Sequence, residues 1–136
     1  MSGNVINEVV ELHQFFQAWL SGSIEQSREK YDRFERVMAD DFVMIPPDSD
    51  LLSRDVIMDI FWQEHGAKSS SFRIEIRNPV ARQVAESLYL VSYEEWQFEQ
   101  DQSARVTTAL LRENPTGIEW LSVHESWLPD HLPGGV

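Results

Sequence analysis

Residues Gly117 to Leu128 read GIEWLSVHESWL and follow the turn Asn114-Pro115-Thr116-Gly117. Aromatic and β-branched residues alternate there with polar ones, which predicts a strand with two chemically different faces. Strict alternation places four residues on one face: Trp120, Ser122, His124 and Ser126. The opposite face then carries Leu121, Val123, Glu125 and Trp127. We expect the face with the imidazole to line a ligand pocket and the opposite face to form a dimer contact.

The segments before this strand also alternate with a period of two. Phe72 to Arg77, Leu88 to Phe98 and Val106 to Arg112 are predicted strands, and Asn78-Pro79 is expected to break the first of them. In the second, Leu90, Ser92, Glu94, Trp96 and Phe98 share one side, and Tyr89, Val91, Tyr93 and Glu95 share the other. Short turns between consecutive strands indicate antiparallel pairing.

The first half of the chain shows helical spacing instead. Between Asn4 and Leu20, apolar residues recur at three- and four-residue steps. A second helix is predicted from a cap at Ser23 to about Ala39, with Gln26 in the capping-box position. Ser53 is the expected N-cap of a third helix, Arg54 to His65, which should bury Val56, Ile57, Ile60 and Phe61.

Helices first and strands afterwards indicate an α+β class, with three N-terminal helices packed against an antiparallel sheet. The 136 residues have the size of one domain. We expect a single domain over residues 1–136, with its core at about residues 5–128. The tail at 129–136, which includes Pro133-Gly134-Gly135, is expected to be loose.

Charge and composition exclude several classes of function. The chain has 23 acidic and 11 basic residues, a formal net charge of −12. Nucleic acids and anionic membranes both attract basic surfaces, so neither is an expected partner. An acidic surface favours a small apolar or cationic ligand. There are no cysteines, no cofactor-binding motif, and no N-terminal secretory pattern, so a cytoplasmic location is the expectation.

Five sequence features together resemble a known superfamily. They are the order of elements, the DDF at Asp40–Phe42, the PPDSD turn at Pro46–Asp50, the SRDVI at Ser53–Ile57 and the terminal WLSVHESWL. In combination they resemble the nuclear transport factor 2-like superfamily, especially small bacterial members related to the calcium/calmodulin-dependent kinase association domain. The resemblance implies a cystatin-like cone, in which a strongly bent antiparallel sheet wraps around the helices. It also implies a pocket at the wide end and a homodimer through the sheet.

The resemblance does not carry over the isomerase mechanism. Ketosteroid isomerases of this superfamily have their proton-abstracting aspartate directly before the proline of the corresponding motif. Here the residue before Pro47 is Pro46, which cannot accept a proton. His124 and Glu94 are the remaining catalytic candidates, because an imidazole held by a carboxylate can act as a base near neutral pH. His124 as an ordinary packed pocket residue, and Glu94 as a solvated charge, are the alternatives.

The expected ligand-binding side chains are six in number: Trp120, Ser122, His124, Ser126, Trp96 and Trp62. No metal site is expected, because the four histidines lie on four different predicted elements. Three functions remain open. The first is a homodimeric domain that binds a small molecule without catalysis. The second is an enzyme of isomerase, dehydratase or cyclase type that uses His124 and a carboxylate. The third is a pure oligomerisation domain.

Overall fold

A computed structural model describes residues 2–133 of the chain. It contains three helices: α1 (Ser2–Leu20), α2 (Arg28–Glu35) and α3 (Arg54–Gln63). The α1 stripe is as the sequence predicted, since Val5, Val9, Leu12 and Trp19 are all buried. Helix α2 is shorter than predicted at both ends. Its N-cap is Ser27, whose hydroxyl accepts from the backbone N–H of Lys30, so the predicted cap at Ser23 is wrong.

Six strands form one mixed sheet in the order β2-β1-β6-β5-β4-β3. The strands are β1 (Met38–Ile45), β2 (Leu52–Ser53), β3 (Arg73–Ala85), β4 (Leu88–Phe98), β5 (Gln102–Asn114) and β6 (Gly117–Trp127). Strands β3 to β6 pair antiparallel, as predicted. The exception is β1, which pairs parallel with β6. The three-helix α+β class is confirmed, and its sheet is open and mixed rather than purely antiparallel.

The helices pack into the concave side of the sheet through specific polar contacts as well as apolar burial. In α1, the Gln17 side chain accepts from the backbone N–H of Ile74 on β3 at 2.9 Å. Trp19 on the same helix donates its indole N–H to the carbonyl of Phe61 on α3 at 2.6 Å. Tyr31 on α2 donates to the carbonyl of Met58 on α3. These bonds fix the three helices relative to one another and to the sheet.

Helix α3 buries a different face from the predicted one. Ser53 caps it as expected, accepting from the N–H of Val56. Ile57 and Met58 are the buried residues, whereas Val56 and Ile60 are exposed. The prediction that Val56 and Ile60 would be buried is wrong, because α3 touches the rest of the fold along a narrower stripe than its apolar pattern suggested.

The strand register shifts at four places in the described sheet, and two of these irregularities bear on the predictions from the sequence. In β6, Ser122 pairs with Leu110 and Trp120 pairs with Leu111, so Leu121 is an extra residue. In β3, Asn78 and Pro79 lie between two paired stretches, and Asn78 has a positive φ of 54°. The predicted break there is therefore a bulge inside one long strand. A bulge opposes two residues to one, so it shifts the two-residue alternation downstream of it.

The segment after β6 is packed where it is described. Leu128 donates its N–H to the carbonyl of Ala104, and Ala104 donates in turn to the carbonyl of His131. The His131 ring lies 4.5 Å from the ring of Trp96. The expectation of a loose tail is therefore wrong up to His131, Leu132 is exposed, and residues 134–136 lie outside the described residues.

Candidate functional site

A cavity of about 90 Å³ lies between the helices and the concave side of the sheet. Most of its wall is apolar, with Phe16, Phe34 and Phe61 from the helices and Met44 and Val123 from the sheet. One side is different, because ionisable and polar groups converge there from α1, β4, β5 and β6. These groups are His13, Tyr93, Glu95, Gln97, Arg105 and Glu125. We call His13, Glu95, Arg105 and Glu125 the interior charge cluster.

His13 enters the cluster from helix α1 and is only 5% exposed. Its Nδ1 lies 2.7 Å from the carbonyl oxygen of Val9, and its Nε2 lies 3.2 Å from Oε1 of Glu95. A backbone carbonyl can only accept, so Nδ1 carries a proton. Nε2 faces a carboxylate, so it carries one too, and the ring is an imidazolium. Burial by itself would lower the pKa of His13, but Glu95 outweighs it and the pKa is raised.

Glu95 is the anionic partner of that imidazolium. It lies on the inner face of β4 and is 6% exposed, and its Oε2 accepts from the Gln97 amide at 2.7 Å. Burial alone would raise the pKa of Glu95. His13, followed by Arg105 and Gln97, overcomes this effect and lowers the pKa to about 2. Glu95 is therefore ionised at neutral pH.

Arg105 on β5 pairs in register with Glu95 on β4 and forms its ion pair with Glu125 on β6. Its Nη1 is 3.3 Å from Oε1 of Glu125, and its guanidinium lies 4.7 Å from the centre of the Trp127 ring. Its Nε is buried and has no hydrogen-bond partner among residues 2–133. Arg105 lines the cavity, and an unmet donor on such a residue favours a ligand that brings an oxygen to the guanidinium.

Glu125 differs from Glu95 in its charge state. It lies on the inner face of β6 and is 6% exposed. Burial, followed by repulsion from the Glu95 carboxylate, raises the pKa of Glu125 to about 7, and Arg105 only partly offsets this. Burial and Glu95 also raise the pKa of Tyr93, so this phenol stays neutral. Below pH 7 the cluster therefore holds two cations, one carboxylate and one neutral carboxyl group.

A second, more open hollow of about 300 Å³ lies beside the cavity at the β4–β5 turn. Arg105 and Gln97 line both spaces. The remaining walls of the outer hollow include Lys68, Phe98 and Pro133. The two spaces are therefore neighbours on either side of Arg105 and Gln97.

The predicted pocket face of β6 is divided by the bulge at Leu121. Trp120 points inward, is 2% exposed and lines the cavity, donating its indole N–H to Glu8 at 2.9 Å. Downstream of the bulge the inward residues are Val123 and Glu125. Ser122, His124 and Ser126 lie on the outer face of the sheet, where His124 and Ser126 are exposed. The prediction that these four residues share one face is wrong, as is the expectation that Val123 and Glu125 face a dimer partner.

The other predicted site residues also lie away from the cavity. Glu94 is on the outer side of β4, where it accepts from the Trp96 indole at 2.9 Å and from the Asn78 amide at 3.2 Å. These bonds lower the pKa of Glu94, as expected for a solvated carboxylate rather than a buried one. Trp96 packs against His131 on that outer side. Trp62 on α3 contacts Trp19 and Tyr31, and the Arg28 guanidinium covers its ring.

Sequence reasoning missed the interior charge cluster, although two signals were present. His13 is four residues after Val9 and three before Phe16, so it lies on the apolar stripe of α1. Glu95 continues the apolar alternation of Tyr93 on β4. A charged residue within an apolar stripe must find a buried partner.

Comparison with known proteins identifies the family of this chain. The profile described as "Sucrose-6-phosphate phosphohydrolase C-terminal" matches residues 5–129. The chain belongs to this family. Sucrose-phosphatase 2 of Nicotiana tabacum is 31% identical over 127 residues, which cover 89% of this chain and 30% of the tobacco protein. The chain therefore spans less than a third of the length of the curated relatives it matches.

Solved structures show that this C-terminal family domain has the nuclear transport factor 2-like fold that the sequence resembled. An NTF2-like protein of unknown function from Pseudomonas aeruginosa superposes with a TM-score of 0.84 at 22% identity, covering 92% of this chain and 98% of that one. The CaMKII hub of S. rosetta superposes with a TM-score of 0.74 at 13% identity, covering 93% and 96%. At identities this low, the superpositions establish the fold alone.

Between Ser2 and Pro133, no three histidine, aspartate or glutamate side chains are grouped closely enough to hold a metal ion. Within the same residues, none of the helices is long and apolar enough to span a membrane.

Proposed function

We propose that this domain binds a small molecule inside the cone, and that Arg105 is the residue that recognises it. The observation that supports this most strongly is the buried Nε–H of Arg105, which lacks an acceptor beside a cavity of about 90 Å³. Leaving a buried donor unmet costs about 1–3 kcal/mol. A ligand oxygen that accepts from this group recovers that free energy.

The charges of the cluster define the class of ligand. With Glu125 protonated, the cations of His13 and Arg105 exceed the single carboxylate of Glu95 by one charge. This favours an anion, in particular a carboxylate, which can meet a guanidinium directly. The expectation of a cationic ligand came from the net charge of −12, but the interior has the opposite balance. The apolar walls suit a short aliphatic chain on the same ligand.

The size of the cavity limits the ligand to a few heavy atoms. A cavity needs about 15 Å³ by this measure to hold one water, so about 90 Å³ has room for about six heavy atoms. A disaccharide is several times too large. We therefore propose that this cavity does not bind the sugar for which the tobacco relatives are named, and that the domain serves as an accessory binding module in proteins of this family.

Binding can be tested with three four-carbon probes that share one shape: butyrate, butyramide and butylamine. We expect butyrate to raise the melting temperature most and butylamine least. At 100 times its dissociation constant, a ligand adds about 2.7 kcal/mol to the free energy of unfolding. Arg105→Met should abolish the butyrate effect. Arg82→Met, at an exposed arginine on β3, is the matched control and should keep it. Equal responses to all three probes, or butyrate binding by Arg105→Met, would refute this role for Arg105.

We also propose that the domain self-associates through the outer face of β5 and β6. That face presents Val106, Thr108 and Leu110 on β5, paired with Ser126, His124 and Ser122 on β6. None of these six carries a fixed charge, although the chain carries −12. Because the strip is uncharged, two copies can contact each other there without bringing like-charged side chains together. The hub domains among the structural neighbours support this use of the fold.

Sedimentation velocity tests the assembly. The unmodified chain should sediment as a dimer or larger species, and Thr108→Arg, in the centre of the strip, should shift it toward monomer. Arg82→Ala, away from the strip, is the control. Monomeric behaviour of the unmodified chain at all concentrations would contradict the proposal.

A further inference from the structure

The contact between Arg105 and Glu125 has a consequence for how a ligand binds. Glu125 has Arg105 as its ion-pair partner at 3.3 Å, and it lies in the same buried space as the ionised Glu95. An incoming carboxylate that reaches Arg105 competes for the guanidinium on which the charge of Glu125 depends. We propose that the cavity takes up a small carboxylate together with one proton, because the ligand replaces Glu125 as the anionic partner of Arg105. This inference rests on the ligand-binding function proposed above.

The proton balance follows from the groups that face the cluster. Helix α1 contributes the imidazolium of His13, β4 contributes ionised Glu95 with neutral Tyr93 and Gln97, and β5 contributes Arg105 and the Thr107 hydroxyl. The other elements contribute apolar wall, which includes Phe34 (α2), Ile57 and Phe61 (α3), Phe42 and Met44 (β1) and Ile74 (β3).

Within that surrounding, Glu125 is the group that can adjust its charge near neutrality. When it is protonated, the cluster carries one net positive charge, and a bound carboxylate brings the total to zero. When it is ionised, the cluster is already neutral, and the ligand would leave a net negative charge in a buried space. Such a charge is costly to bury. The bound state therefore draws a proton from solvent onto the Glu125 carboxyl group.

The pH dependence of binding has a defined sign. Below the pKa of Glu125, which is about 7, the carboxyl group is already protonated, so butyrate binds without taking up a proton. Above it, each molecule of butyrate that binds must bring a proton with it. The affinity should then fall by about tenfold per pH unit. Butyrate itself remains ionised throughout this range, so the change belongs to the protein.

Isothermal titration calorimetry measures the proton directly. We would titrate butyrate into the full chain at pH 8 in phosphate and in Tris, whose ionisation enthalpies differ, and determine the affinity from pH 6 to 9. We expect uptake of close to one proton at pH 8 and a fall of about tenfold from pH 7.5 to 8.5. Glu125→Gln, which keeps a neutral side chain of the same shape, should bind butyrate with no such slope. Glu86→Gln, an exposed glutamate in the β3–β4 turn, should behave like the unmodified chain.

The outcomes separate this inference from the proposed function. Butyrate binding that is independent of pH would overturn proton coupling and leave ligand binding intact. A slope that persists in Glu125→Gln would overturn the assignment to Glu125 and point to His13. Absence of butyrate binding at pH 6, in a folded chain, would refute the proposed function itself. Butyramide carries no charge, so a slope for it equal to that of butyrate would also overturn the proposal.

Discussion

Replacing Glu125 by glutamine should make the domain more stable than the unmodified chain at high pH, even though it removes half of an ion pair. Glu125 is only 6% exposed, and burial raises its pKa from an ordinary value of 4.5 to about 7. Ionising such a group costs free energy that its contact with Arg105 only partly returns. Glutamine keeps the size of the side chain and cannot ionise.

The size of the effect follows from linkage. A raised pKa means that the folded chain holds its proton after the unfolded chain has released it. The resulting stabilisation is complete below pH 4.5 and is lost as the pH rises toward 7. At about 1.4 kcal/mol per pH unit, the loss is about 3 kcal/mol. Relative to the unmodified chain, Glu125→Gln should therefore gain about 3 kcal/mol of stability between pH 4 and pH 8.

Urea denaturation at pH 4, 6 and 8 gives the free energies of unfolding for the comparison. The difference between Glu125→Gln and the unmodified chain is the relevant quantity, because His13 and Glu95 titrate in both. Glu86→Gln should show a difference that does not change with pH. A flat difference for Glu125→Gln would mean that the pKa of Glu125 is the same in the folded and the unfolded chain, and the charge balance of the cluster would then be wrong.

Three further substitutions test other parts of the structure. Glu95→Gln should lower the free energy of unfolding by about 3–5 kcal/mol at pH 7, because it leaves the buried His13 cation without its partner. Glu94→Gln, on the outer side of the same strand, is the control and should cost less than about 1 kcal/mol. Equal losses in urea denaturation would contradict the placement of Glu95 on the inner face of β4. His124→Ala should leave butyrate affinity unchanged by calorimetry, and a loss would place the imidazole at the cavity. Deleting Leu121 removes the bulge and turns the buried residues downstream of it outward, so the variant should not fold. Circular dichroism measures this, and a folded deletion variant would refute the role of the bulge.

The sequence predicted the elements of the fold because each has a local cause. The stripe of Val5, Val9 and Leu12 marks α1, and Ser53 marks the start of α3. The alternation of residues predicts β4 and assigns its side chains to the correct two faces. The parallel pairing of β1 with β6 joins residues about 80 positions apart in the chain, and short-range patterns carry no information about such contacts.

The candidate site was mislocated for one physical reason, the bulge at Leu121. The alternation rule assumes a regular strand, so it placed His124 on the same inward face as Trp120. One additional residue reverses that assignment, and Glu125 becomes the buried group instead. Neither a glycine nor a proline marks this bulge, in contrast to Asn78-Pro79 on β3. Reading His13 and Glu95 as charges within apolar stripes would have led to the cavity without knowledge of the bulge.

The most direct test of the account is the nuclear magnetic resonance signal of the Arg105 Nε–H while butyrate is added at pH 6. If this donor recognises the ligand, the signal should shift progressively and saturate together with the change in melting temperature. Arg105→Met has no such N–H group, and in this variant the change in melting temperature should be absent. A signal that does not move while the domain becomes saturated with butyrate would show that the ligand binds elsewhere, and the central claim would be wrong.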